Sequence, residues 1–250
     1  MSYIAYEHVY KAFGSQVICE GISLNIEKGE SFCIIGPSGT GKTVTIKMLI
    51  GLIQPDAGEI TFDDIRLSTL KRDEDFLPIR KRIAMVFQGA ALFDSMTVFD
   101  NVAYGLAKLN LSEGELKDRV EERLTWVGLE EAIHKMPAEL SGGMKKRVGL
   151  ARAIAPDPEV VLYDEPTAGL DPINTVRVVE LILNLQERLK STAITVTHDI
   201  PAARRICSRA AFINEGHIQA LGPIQELMHH SDHFVRTFLN SNPLVNDILD

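Results

Sequence analysis

The chain has 250 residues, a formal net charge of -8, and 45% hydrophobic against 24% charged residues. That is enough apolar material for a sizeable folded core in one domain. The acidic balance excludes a nucleic-acid binder that works by broad electrostatic attraction, although not a local basic patch. No apolar run reaches the roughly 18 residues that a membrane-spanning helix needs. The opening Met1-Ser2-Tyr3-Ile4 passes straight into strand-like sequence without a basic-then-apolar leader, so the expectation is a cytosolic chain. Cys19, Cys33 and Cys207 are odd in number, widely spaced and without a C-x-x-C pair. This predicts reduced, mostly buried thiols rather than a disulfide framework or a zinc site.

Residues 1 to 35 read as strands with turns. Ile4 to Tyr10 and Ile22 to Ile26 place apolar residues at alternate positions, as antiparallel strands with one solvated face do. Phe13, followed by Gly14, presents a ring that either joins the core or offers adenine a stacking face. The apolar run Phe32-Cys33-Ile34-Ile35 predicts a buried strand, and it leads into Gly36-Pro37-Ser38-Gly39-Thr40-Gly41-Lys42-Thr43. That stretch meets the phosphate-loop template G-x-x-x-x-G-K-[ST] at every fixed position, and the residues from Val44 to Ile50 can continue as a helix. Glycines let the backbone approach phosphate oxygens, and the helix start adds positive potential. In this pattern Lys42 reaches the β- and γ-phosphates and the Thr43 hydroxyl binds Mg²⁺.

Glu59 to Phe62 returns as a strand, residues 63 to 82 look like a polar surface excursion in which Pro78 interrupts any long helix, and Ile83 to Phe87 is a strand that delivers Gln88. From about 89 to 157 the pattern is helical, with Leu116, Val120, Leu124 and Val127 on one stripe. It predicts a helical subdomain inserted into an α/β core. Near its end Ser141, followed by Gly142 and Gly143, opens another helix, either as an ordinary cap or as a second anion site. Val160 to Tyr163 reads as a buried strand ending in Asp164-Glu165, a pair suited to Mg²⁺ binding and to accepting a proton from water. A turn at Ala168 to Pro172 precedes an amphipathic helix from about Ile173 to Lys190. A further strand, Ala193 to Thr197, delivers His198, and a hairpin follows at 210 to 220. His229, His230 and His233 lie in the tail, where a solvated helix end explains them without a metal.

Together these residues, in this order, resemble the nucleotide-binding subunit of ATP-binding cassette (ABC) transporters, from Phe13 to about Gly222. The resemblance implies a P-loop NTPase core with an N-terminal antiparallel β subdomain, the helical insertion at about 89–157 and a C-terminal helical tail at about 223–250, all one domain. It makes Phe13 the adenine-stacking aromatic and assigns Gly36, Pro37, Ser38, Gly39, Thr40, Gly41, Lys42, Thr43 and Val44 to the nucleotide. Gln88 becomes the Q-loop glutamine, Leu140-Ser141-Gly142-Gly143 the family signature, Asp164 the Walker B aspartate, Glu165 the catalytic glutamate, Asp171 the D-loop aspartate and His198 the switch histidine. Thr43, Gln88 and Asp164 would hold Mg²⁺. Two copies would pair head to tail on ATP, so that Lys42 of one copy and Ser141 of the other share a nucleotide.

The segments Phe87 to Ala103 and Met136 to Arg147 look like the ATPase of bacterial Mla-type phospholipid transport systems, and Met144 in place of a common Gln agrees with that subgroup. Ala103-Tyr104-Gly105-Leu106 and Val44 depart from it. The implied setting is the cytoplasmic face of an inner membrane. The implied partners are an integral-membrane permease, an MCE-domain protein and a STAS-domain subunit, with no nucleic acid. Two alternatives stay open: the ATPase of an amino-acid-type importer, and a cell-division-type switch ATPase.

Overall fold

The structure is a computed structural model that describes residues 2–241. In chain order its elements are β1 (Ile4–Phe13), β2 (Gln16–Ile26), β3 (Ser31–Ile35), α1 (Lys42–Leu49), β4 (Ala57–Phe62), β5 (Ile65–Arg66), α2 (Leu77–Arg82), β6 (Ile83–Val86), α3 (Val98–Leu106), α4 (Glu113–Trp126), α5 (Gly142–Ile154), β7 (Val160–Asp164), α6 (Pro172–Leu189), β8 (Thr192–Thr197), α7 (Ile200–Ile206), β9 (Arg209–Asn214), β10 (His217–Pro223), α8 (Ile224–Leu227) and α9 (His233–Asn240). Residues up to Arg80 together with those from Thr192 onward form one compact unit, and Lys81–Ser191 form a second. Among the described residues no helix is long and apolar enough to cross a membrane.

In the first unit an antiparallel sheet has the order β2-β1-β4-β5. Its pairing sets Ile4 opposite Ile26 and Tyr6 opposite Leu24, so the apolar alternation of both strands falls on one buried face while Ser23 and Asn25 face solvent. The Tyr6 hydroxyl donates to the Thr45 carbonyl of α1 at 3.0 Å, which ties this sheet to the helix behind the glycine loop. The second layer is built on β3, which pairs in parallel with β8 on one side and β9 on the other, with β10 returning antiparallel to β9. Phe32, Cys33, Ile34 and Ile35 of β3 are all buried, as a strand with both faces covered requires.

The second unit contains the parallel pair β6 and β7, in register from Ile83 opposite Val160 to Val86 opposite Tyr163. Helices α3, α4 and α5 occupy the chain between these strands. Capping boxes start α3 (Thr97 with Asp100) and α4 (Ser112 with Glu115). Val120, Leu124 and Val127 are buried, so the expected stripe of α4 faces the core. The Arg123 guanidinium stacks 3.8 Å from the centre of the Trp126 ring and donates to Asp157 at 2.6 Å, which joins α4 to the turn before β7.

No long helix runs through residues 63 to 82, in keeping with Pro78: it lies in the first turn of the six-residue α2, where its missing N–H would have no partner in any case. One expectation is corrected. Cys33 and Cys207 are not separate reduced thiols: they are joined as a disulfide with Cα atoms 5.8 Å apart, and only Cys19 among the three is free. The fold sets β3 beside the residue that follows α7, and a sequence separation of 174 residues hides that proximity.

Buried Glu59 shows how the polar segment after β4 is held. It accepts from the Ser68 amide at 3.0 Å, the Ser68 hydroxyl, Arg66 Nε at 2.8 Å and the Ile60 amide at 3.1 Å. Burial by itself raises the carboxyl, but the Ser68, Arg66 and Ile60 hydrogen bonds outweigh it and hold Glu59 below the usual glutamate range. A depressed carboxylate adds stability above its unfolded value, near ~4.3, and that stability is lost as pH falls through the folded value. Glu59→Gln should therefore lower unfolding stability at pH 7 by about 1–3 kcal/mol. In urea titrations the gap from the wild type should shrink as pH is taken below ~4; an equal gap at both pH values would contradict this.

Candidate nucleotide-binding site

In the first unit the loop from Gly36 to Thr43 is built by backbone constraints. Gly36 follows β3 with φ 156°, and a Cβ there would lie 2.0 Å from the Ile213 carbonyl oxygen. Gly41 has φ 93° and its Cβ would lie 2.8 Å from the Ile18 carbonyl oxygen, while Gly39 has φ 81° with open space on that side. Each position needs glycine, two of them for close approach as well as for dihedral freedom. Gly41 is the N-cap of α1; no side chain caps the helix and no acidic residue lies in its first turn. The helix start therefore keeps its positive potential for an anion.

Lys42 is buried, and its ammonium donates to the Gly36 carbonyl at 2.8 Å and the Pro37 carbonyl at 2.7 Å. Thr40 Oγ1 donates to Pro37 at 2.9 Å. Ser38 is exposed, and Thr43 and Val44 are half-buried. Phe13, at the end of β1, is 50% exposed with the Lys11 ammonium 5.2 Å from its ring centre, so it is a presented ring and not a core residue. His198 is exposed directly after β8. Because Ile35 and Thr197 are register partners, Gly36 and His198 leave adjacent parallel strands side by side. The Thr197 hydroxyl accepts from the Asp199 amide at 2.9 Å, and Asp199 caps α7, so the turn carrying His198 is held from both ends.

In the second unit the rung Val86–Tyr163 closes the β6–β7 pairing, and Gln88 and Glu165 each follow two residues beyond it. Gln88 is exposed, whereas Asp164 and Glu165 are buried, and Glu165 takes a left-handed φ of 46°. A non-glycine residue there costs about 1–2 kcal/mol. The Lys146 ammonium of α5 donates to the Pro166 carbonyl at 3.1 Å and also to the Ala168 carbonyl, so it grips the turn after Glu165. Burial pushes Lys146 below the usual lysine range, and the Glu165 charge draws it partly back up. Ser141 caps α5, its hydroxyl accepting from the Met144 amide at 3.3 Å. A Cβ on Gly142 would meet nothing within 4 Å, and one on Gly143 would lie 3.5 Å from Asn174 Oδ1. Asp171 caps α6, accepting from the Asn174 amide at 3.0 Å, and hydrogen bonds from the Asn174 amide and side chain hold its carboxyl below the usual range. Asn174 thus bonds Asp171 and lies beside Gly143.

Lys146 and Asn174 carry no signal of their own in the sequence, because Lys146 bonds backbone carbonyls and Asn174 acts on the carboxylate that caps its own helix. Each unit by itself has groups of the right chemistry: the first a glycine cradle with a buried ammonium, which suits phosphate, and the second a strand-end carboxylate pair, Asp164 and Glu165, of which Asp164 suits a metal.

Residues 19–168 match the family model described as ABC transporter. The chain is 40% identical over 231 residues to the "Probable ribonucleotide transport ATP-binding protein mkl" of Mycobacterium tuberculosis, covering 92% of this chain and 64% of that protein. It is 37% identical over 240 residues to the "Methionine import ATP-binding protein MetN 2" of Bacillus cereus, covering 94% of this chain and 70% of that one. Among solved structures, cbiO1 from Clostridium perfringens, part of the ABC transporter complex cbiONQ, superposes with a TM-score of 0.83 at 29% identity, over 96% of this chain and 95% of its own. A dimeric post-hydrolysis state of the ATP-binding cassette MJ0796 bound to ADP and Pi gives 0.80 at 31% identity, over 88% and 98%. The chain spans just under two thirds of the length of the mkl protein. With a matched model over more than half its length and a glycine loop built for phosphate, this chain belongs to the ABC transporter family, as an ATP-binding domain of that family.

Proposed function

We propose that this chain hydrolyses ATP to drive an ABC transporter, as a subunit bound to an integral-membrane permease. The observation that carries the reading is the glycine loop at the end of β3, with Lys42 drawn into it and His198 emerging from the neighbouring strand. When bound, Mg²⁺ would supply positive charge to the phosphates. Thr43, Gln88 and Asp164 are the residues that would hold it. Lys42 and the amides of Gly36 to Thr43 bind and orient the phosphates, with Pro37, Ser38, Thr40 and Val44 shaping the loop. Phe13 stacks on the adenine. Glu165 takes a proton from the attacking water, and His198 donates to the γ-phosphate.

The open, uncrowded face at Gly142 and the capped start of α5 suit a phosphate brought by a second copy. Ser141, Gly142 and Gly143 would then complete the partner's site in a head-to-tail dimer, with Asp171 at the contact. MJ0796 forms a dimer with ADP and Pi bound, which supports that reading. Loss of the γ-phosphate would let the copies separate, and the permease would receive that motion.

For cargo, the segments from Phe87 to Ala103 and Met136 to Arg147 favour phospholipid moved between membranes together with an MCE-domain protein and a STAS-domain subunit. The similarity to a methionine import protein favours a second reading, uptake of a small solute. Purification of the tagged chain with its membrane complex separates them: an MCE-domain protein accompanies the permease under the first, and a soluble solute-binding protein interacts under the second.

Glu165→Gln should preserve ATP binding and lower turnover by about 10² to 10⁴, the scale of losing a general base; unchanged turnover would remove Glu165 from that role. Ser141→Arg and Lys42→Ala proteins should each be inactive alone, yet a mixture should recover activity, because a head-to-tail pair of the two retains one site free of both lesions. A mixture as inactive as its components would rule out the shared site.

A further inference from the structure

The two residues after Gly89 are held in a conformation their identities disfavour. Ala90 and Ala91 have φ values of 60° and 49°, the left-handed region that non-glycine residues avoid. Their carbonyls are turned toward α5, where Arg152 donates to Ala91 at 2.8 Å through Nη1 and to Ala90 at 3.0 Å through Nη2. One planar guanidinium thus bridges two successive carbonyls through two separate nitrogens held at a fixed spacing, which a single ammonium nitrogen at the same position lacks.

The surroundings keep Arg152 in place. One turn earlier on α5, Gly149 lets the turn approach so closely that a Cβ would lie 2.9 Å from the Ala90 carbonyl oxygen. On α3, Gly105 packs against the Arg152 backbone, where a Cβ would lie 2.5 Å from its carbonyl oxygen. The guanidinium carbon is 5.5 Å from the centre of the Phe93 ring. Phe93 is itself pinned by buried Asn101, which accepts from the Phe93 amide at 2.9 Å and donates to the Phe93 and Met96 carbonyls at 3.1 Å and the Thr97 carbonyl at 2.9 Å. Two close backbone approaches, a stacked ring and a bidentate hydrogen bond converge on a turn two residues from Gln88.

We propose that Arg152 is a positioning residue for Gln88, holding the Ala90–Ala91 turn so that the glutamine side chain is presented in one orientation from the end of β6. The proposal rests on the role given to Gln88 above. It places the control of Gln88 on the helix whose other end carries Ser141, although Gln88 and Ser141 lie far apart in sequence.

The test combines backbone hydrogen exchange in nucleotide-free protein with steady-state kinetics on Arg152→Gln, Gln88→Ala and the double variant. Arg152→Gln should accelerate exchange at the amides of 89–92 by about tenfold, the scale of one lost charge-assisted hydrogen bond, while amides of the first turns of α4 and α6 keep wild-type rates. It should lower kcat by about tenfold with the ATP KM within about twofold, a split that separates positioning from binding. The double variant should be no slower than Gln88→Ala alone. Arg152→Lys, which keeps the charge but offers one nitrogen in place of two at fixed spacing, should give intermediate exchange, and it carries the same comparison if Arg152→Gln does not fold. Wild-type exchange at 89–92, or a double variant slowed by the product of the single effects, would overturn the positioning role alone. A Gln88→Ala protein with wild-type kcat would overturn the assignment of Gln88 and the proposal with it.

Discussion

The approach of Gly36 to the Ile213 carbonyl is the constraint on which the phosphate loop depends. A side chain as small as a methyl group would collide with that oxygen, so β3 could not end where it does and still pair with β9. Because the pairing holds, the chain leaves the sheet at one defined point and must turn at once. Gly39 and Gly41 make that turn through left-handed dihedrals, and α1 starts with its amides directed back toward the loop. The same sheet register places His198 next to this exit. The shape of the glycine loop in the first unit is therefore a consequence of strand pairing more than of the chemical character of any one side chain.

The second unit solves a different problem, that of presenting polar groups on short turns without letting them wander. Helix α5 does this with its side chains. Lys146 holds the carbonyls behind Glu165, and Arg152 holds those behind Gln88. Both cations are directed at backbone oxygens, so the turns are fixed without consuming the functional side chains. The left-handed residues Glu165, Ala90 and Ala91 show that these turns are strained, and strain of this kind persists only where surrounding contacts over-determine it.

What was legible in the sequence was whatever the backbone demands by residue type. The glycine loop announces itself because Gly36 and Gly41 leave no room for a side chain and Gly39 takes a dihedral that favours glycine, and the buried strands β3 and β7 are visible as short apolar runs. The caps Ser141 and Asp171 lie where their residue types suggest. The outward direction of Phe13 was not legible, since a ring after alternating residues can fall on either face, and only the β1–β2 geometry turns it to solvent. Residues 63 to 82 looked like featureless surface, yet Glu59 organises part of them through Ser68 and Arg66, partners whose proximity depends on the β4–β5 turn. The Cys33–Cys207 disulfide was misread for the same reason: contact across a long separation is a property of the sheet order.

Lys42 is the feature with the widest consequence. Its ammonium is folded onto the carbonyls of its own loop, so a long, flexible side chain gives up much of its rotational freedom to the backbone around it. The loop is in this sense its own placeholder, with a cation parked where charge will be wanted. Under the role proposed for Lys42, capture of a triphosphate is an exchange of oxygen partners around a nitrogen already held inside the loop.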